Sequence, residues 1–151
     1  MISRPTTDQL IADVCQDLVD AVLPALTDET LQVRVAMAET VLRNAAVRAA
    51  HEIAWMTEEM AALIEYANTV NARIPSVELT GALATFDDGP HSLHLADVVE
   101  TYERASRAFA AALAAAQRGG LVELVDAARD LLRDRVDTEN VVMATYAVVG
   151  R

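Results

Sequence analysis

Residues 28–74 read DETLQVRVAMAETVLRNAAVRAAHEIAWMTEEMAALIEYANTVNARI, and this stretch decides the fold. It contains neither Gly nor Pro, so nothing in it interrupts a helix before Pro75. Leu31, Val35, Ala38, Leu42, Ala45, Ala49, Ile53, Met56, Met60, Leu63, Ala67, Val70 and Ile74 recur at alternating steps of four and three. That spacing, a period near 3.5, is the signature of a helix presenting one continuous apolar seam. The spacing predicts a helix from about Asp28 to Asn71, with Thr27 as its N-cap and Asp28 and Glu29 complementing the positive end of its dipole.

A helix of that length would reach roughly 65–70 Å at about 1.5 Å per residue. A compact domain of 151 residues is only about 40 Å across. Two resolutions stay open. The helix kinks near His51 to Thr57, where Thr57-Glu58-Glu59 could start a new helix, or it runs on and packs against a second protomer. The unbroken phase of the seam favours the second, a dimer.

Outward from this helix the chain reads as helical throughout. Thr6 and Gln9 form a T-x-x-Q capping box after Pro5, and Ile11, Val14, Cys15, Leu18, Ala21 and Val22 give a first helix one apolar face, ending at Pro24. Residues 73–92 hold Pro75, Gly81, Gly89 and Pro90 and read as an irregular connector, with a short helical turn over Ser76 to Thr85. Ser92 is placed to cap a third helix with the face Leu95, Val99, Tyr102, Ser106, Phe109, Leu113 and Ala116, supported by Glu100–Arg104 and Glu103–Arg107. Gly119-Gly120 stops it. A fourth helix covers Leu121 to Arg135 with Leu121, Leu124, Val125, Ala128, Leu131 and Leu132 inward. Residues 141–151 begin with nine uncharged residues, an aggregation-prone tail unless covered. The expectation is one all-α domain over 1–151, a bundle of about four helices.

Composition narrows function mainly by exclusion. Twelve basic residues, all Arg, stand against twenty-three acidic ones, giving a net charge of −11. That field repels nucleic-acid phosphates and anionic membranes, and no Arg-rich run offsets it. Cys15 is the only cysteine, so no internal disulfide forms. No basic-then-apolar leader and no run of about 18 uncharged apolar residues is present, and cytoplasm is the expected compartment.

No motif for nucleotide binding or nucleophilic catalysis occurs, and Cys15 falls on the apolar face between Val14 and Leu18 as a core residue. His51, His91 and His94 are the candidate metal ligands, but the paired E-x-x-H spacing of di-iron bundles is missing. No cofactor is expected. Glu58-Glu59 and Asp87-Asp88 are adjacent pairs, which point apart on a helix. For partner binding, the apolar-aromatic cluster Trp55, Met56 and Met60 could line a groove, although helical spacing places such residues inside more often. Arg34 and Arg48, two heptads apart, could mark a stripe that meets an acidic partner, and Tyr146 lies in the apolar tail.

The layout Arg4-Pro5-Thr6, Val22-Leu23-Pro24-Ala25-Leu26, Arg34-Val35-Ala36 and Leu42 resembles a small bacterial all-helical family of unknown function. Its members accompany aminoglycoside-phosphotransferase-like kinases and acyl-CoA dehydrogenases. The likeness covers residues 4–50 and, through Gly119 to Leu124, the stretch 105–140. It implies a non-catalytic accessory subunit that binds or activates a kinase acting on hydroxyacyl-CoA-type substrates, and it transfers no catalytic residues. Two alternatives stand beside it: a small bundle enzyme or ligand- and metal-binding protein using the histidines, and a structural homodimer with no ligand.

Overall fold

The chain opens with the capping box read from its sequence: the Thr6 amide donates to Gln9 Oε1 at 3.0 Å, and helix α1 follows over Thr7–Asp17. The computed structural model describes residues 4–143, all-helical with no strand among them. Among the described residues there are five helices, against the about four expected.

Helix α1 does not stop at Pro24. It passes through a π-helical turn, Leu18–Val22, and finishes over Leu23–Ala25, where Pro24 occupies the first turn. The wider π turn shifts the hydrogen-bond register just where Pro24 has no N–H to give, so the ring is accommodated.

Helix α2 is uninterrupted over Glu29–Arg73, 45 residues. Its N-cap is Asp28, not Thr27: Asp28 Oδ1 accepts from the amides of Thr30 at 2.8 Å and Leu31 at 3.3 Å. A carboxylate there satisfies two orphan N–H groups and faces the positive end of the dipole. At the candidate break, Thr57 Oγ1 donates to the Ile53 carbonyl at 2.7 Å, so the hydroxyl bonds back along the helix instead of capping a new one.

The predicted connector contains a full helix, α3, over Val77–Asp87, with Ser76 Oγ accepting from the Leu79 amide at 3.1 Å. Helix α4 covers Leu95–Arg118 and starts later than Ser92, whose hydroxyl accepts from the His94 amide and donates to Asp97. It ends at Gly119, followed by Gly120 at φ +66°, a conformation that favours glycine. Helix α5 runs over Val122–Met143, well past Arg135, and takes in the first residues of the apolar tail. Residues 144–149, with Tyr146, lie outside the described residues.

Packing divides the chain into two units, one drawn from Met1–Glu52 with Thr138–Arg151, the other from Ile53–Asp137. In the second unit, Leu63, Ala67 and Val70 of α2, Leu79 of α3, Leu124 and Ala128 of α5 and the Ala-rich face of α4 form a continuous core. That α4 face is Ala108, Phe109, Ala112, Ala115 and Ala116, continued by Val98 and Ala105 in a second cluster with Met60; it is rotated from the predicted one, and Leu95 and Val99 are exposed. Small alanines allow close helix approach, and this sets the rotation more than the size of Leu95 or Val99 does. Tyr66 and Phe109 pack at 5.2 Å between ring centroids. Tyr102 donates to Glu59 Oε2 at 2.8 Å, and the Arg135 guanidinium lies over the Tyr102 ring, joining α2, α4 and α5.

The first unit packs differently. α1 meets α2 through Cys15, whose thiol donates to the Glu39 carbonyl at 3.7 Å, and Gln32 closes the intervening turn on the Leu26 carbonyl at 2.7 Å. Only Cys15, Thr40 and Asn44 are buried among its described residues.

Candidate interaction surface

The seam along α2 is buried in the second unit at Met60, Leu63, Ala67 and Val70, but in the first unit Leu31, Ala38 and Ala49 on the same seam are exposed. α1 meets α2 where Cys15 reaches the Glu39 carbonyl, with Thr40 and Asn44 buried and Val33 and Met37 exposed alongside them on the same stripe of α2. This contact buries few residues fully: Ile11, Leu18, Val35, Leu42 and Val47 are half-buried, and other apolar side chains of both helices stay exposed.

Two open faces result. On α1, Leu10 and Val14 are exposed one turn apart, with Asp13 and Asp17 beside them. On α2, Val33, Met37 and Val41 repeat every fourth residue and, with Leu10 and Val14, are 50–58% exposed. Val19, Val22 and Leu31 add further open apolar area. Isolated exposed apolar side chains are ordinary; rows of them at helical spacing on neighbouring helices mark a surface built to be covered.

The charges on these faces are sorted by helix. Arg34 lies on the same side of α2 as Met37 and Val41, is exposed, and makes no ion pair among the described residues. Arg48 continues that side and touches Glu52 only at 4.0 Å. Glu39 is turned away and bound by Arg43. Asp13 and Asp17 on α1 likewise have no hydrogen-bonding or ionic partner among the described residues. One face is therefore apolar and basic, the other apolar and acidic.

The other sequence candidates fall elsewhere. Met60 is buried and packs with Val98 and Ala105, and Met56 packs against that cluster, so both serve the core of the second unit. Trp55 is half-buried. His51 is exposed on α2, and His91 and His94 are exposed ahead of α4. Among the described residues no group of three or more His, Cys, Asp or Glu could hold a metal ion. Glu58 faces solvent while Glu59 turns to Tyr102, so the adjacent pair does point apart. Burial pushes the Cys15 thiol above its ordinary range, helped by the nearby Glu39 charge, and both favour the protonated thiol over the thiolate.

A shallow groove of about 360 Å³ lies between α2 and α5 in the second unit, lined by Ala62, Tyr66, Thr69, Leu124, Leu131 and the carboxylates of Glu65, Asp130 and Asp134. Asp130 is engaged by Arg133 at 2.6 Å. No helix among the described residues is long and apolar enough to cross a membrane.

No protein-family model, no curated protein and no solved structure matches this chain. The reading of its function therefore rests on the two open faces. Sequence reasoning named Arg34 and Arg48 but passed over Leu10, Val33, Met37 and Val41. The signal was present, since 33, 37 and 41 form a second four-residue row offset from the main seam.

Proposed function

We propose that this chain is a non-catalytic helical accessory subunit that works by docking through the open faces of α1 and α2 in its first unit. The observation that carries the reading is the imbalance there: three buried residues among those described, against eight large apolar side chains left exposed on two adjacent helices. Covering such area is worth about 25 cal/mol per Å², and a helix pair this thinly packed gains most of its remaining apolar burial from another surface.

The partner class supplied by the family resemblance is a phosphotransferase-fold kinase acting on hydroxyacyl-CoA-type substrates. The charge supports placing the substrate site on that kinase, because a chain of net charge −11 repels the phosphates of CoA. Co-purification with such a kinase, and its turnover with and without this chain, test the assignment. A stable complex and altered turnover are expected. Absence of a complex together with unchanged turnover rejects the kinase as partner.

A further inference from the structure

We infer that the occupant of the two open faces is a second copy of this chain, with α1 of each copy lying antiparallel on α2 of the other. The inference rests on the docking reading above, that another chain covers these faces, and takes a second copy rather than the kinase as that cover.

The complementary surfaces are both on one chain. α1 offers apolar side chains flanked by carboxylates without partners, and α2 offers apolar side chains beside an arginine without an ion pair. A two-fold axis makes such a contact twice, which is how isologous dimers form. The whole molecule is strongly acidic, so two copies repel at most approaches. Along the α2 face Arg34 and Arg48 project, with Glu52 beside Arg48, while Glu39 is held by Arg43 on another side.

The residue spacing fits in one register. On α1, positions 10, 14 and 17 are separated by four and then three; on α2, positions 41, 37 and 34 have the same separations in the opposite direction. An antiparallel pairing that sets Val14 against Met37 therefore also sets Leu10 against Val41 and Asp17 against Arg34. Apolar residues meet apolar ones, and the acid meets the base. Within one chain α1 meets α2 through the contact of Cys15 with the Glu39 carbonyl, and the residues paired here, Leu10, Val14, Met37 and Val41, are left exposed beside it. The result is a four-helix arrangement built from two helix pairs, the standard way to close open amphipathic faces.

Sedimentation of the full chain tests this. The chain is expected to sediment as a dimer, and Met37→Asp as a monomer with unchanged helical circular dichroism, since Met37 is exposed and its replacement disturbs no core. Asp17→Arg and Arg34→Asp are each expected to raise the dimer dissociation constant roughly tenfold, because each reversal acts at two symmetric contacts. The double variant Asp17→Arg/Arg34→Asp should return it to within a few-fold of the parent. A monomeric parent overturns the inference, and so does a dimer in which Met37→Asp changes nothing. Failure of the double reversal to restore association overturns the α1–α2 register. A monomer whose binding of an apolar dye rises when residues 144–151 are removed overturns it too, assigning the faces to the chain's own tail. The docking reading is judged separately: a monomeric parent whose kinase complex is abolished by Met37→Asp keeps that reading while losing this one.

Discussion

Tyr102 donates a 2.8 Å hydrogen bond to Glu59 across 43 positions of sequence, tying α4 to α2, and Arg135 of α5 reaches the same carboxylate at 3.8 Å. This is a part-buried, charge-assisted contact holding three helices, and bonds of that kind are worth more than neutral ones. Tyr102→Phe should destabilise the chain by about 1–2 kcal/mol in urea unfolding. An unchanged midpoint would show that the three helices are held by apolar packing alone.

Inside and outside should differ sharply in cost. Leu79 is completely buried in the second unit, whereas Leu10 is half exposed on α1. Leu79→Ala should cost about 2–5 kcal/mol through lost transfer energy and a residual cavity. Leu10→Ala, measured on a Met37→Asp background where self-association is absent, should cost less than about 1 kcal/mol. Equal costs would mean that α1 is covered within a single chain.

Tyr66 carries a buried hydroxyl with no hydrogen-bond partner among the described residues, and burial raises its pKa above the ordinary tyrosine value. The folded chain thus keeps a proton that the unfolded chain releases. Its contribution is fully present below the ordinary tyrosine pKa, about 10, and is lost as pH rises above it. Tyr66→Phe should remove that alkaline loss and leave stability near neutral pH unchanged or up to about 1 kcal/mol higher, because an unpaired polar atom is deleted. Parallel urea titrations of parent and variant across alkaline pH decide it; a loss of stability at neutral pH would show that the hydroxyl is bonded in solution.

Cys15 should report on the α1–α2 contact. Its thiol is buried and its pKa raised, so alkylation of the native chain should be slow and should become fast in urea. Rapid labelling without denaturant would mean that α1 separates readily from α2.

Much of this architecture was legible before any coordinates. The long helix followed from the absence of Gly and Pro and the sustained seam, and the Thr6–Gln9 box and the Gly119-Gly120 stop are local chemistry that short-range sequence specifies. What failed was decided by tertiary contact. The α4 face rotated because Ala105, Ala108 and Ala112 allow close approach, which hydrophobicity alone underweights. Helix α3 reads from sequence as no more than a short turn within a connector, because Pro75, Gly81, Gly89 and Pro90 crowd residues 73–92, yet Ser76 caps it and Leu79 anchors it in the core. The open faces were hidden because Val33, Met37 and Val41 form a row offset from the main seam, and that seam is itself only partly covered before Ile53. A periodicity records that a surface is apolar, and only packing shows whether the chain covers that surface itself.

The most direct test of that exposed surface is an oxidation experiment on the variant Leu10→Cys/Val41→Cys, with buried Cys15 left in place. Disulfides form only when Cα atoms approach within about 7 Å. Antiparallel pairing of α1 on the α2 of a second copy predicts a covalent dimer of doubled mass, abolished by adding Met37→Asp. A chain that stays at single mass under oxidation would contradict the account.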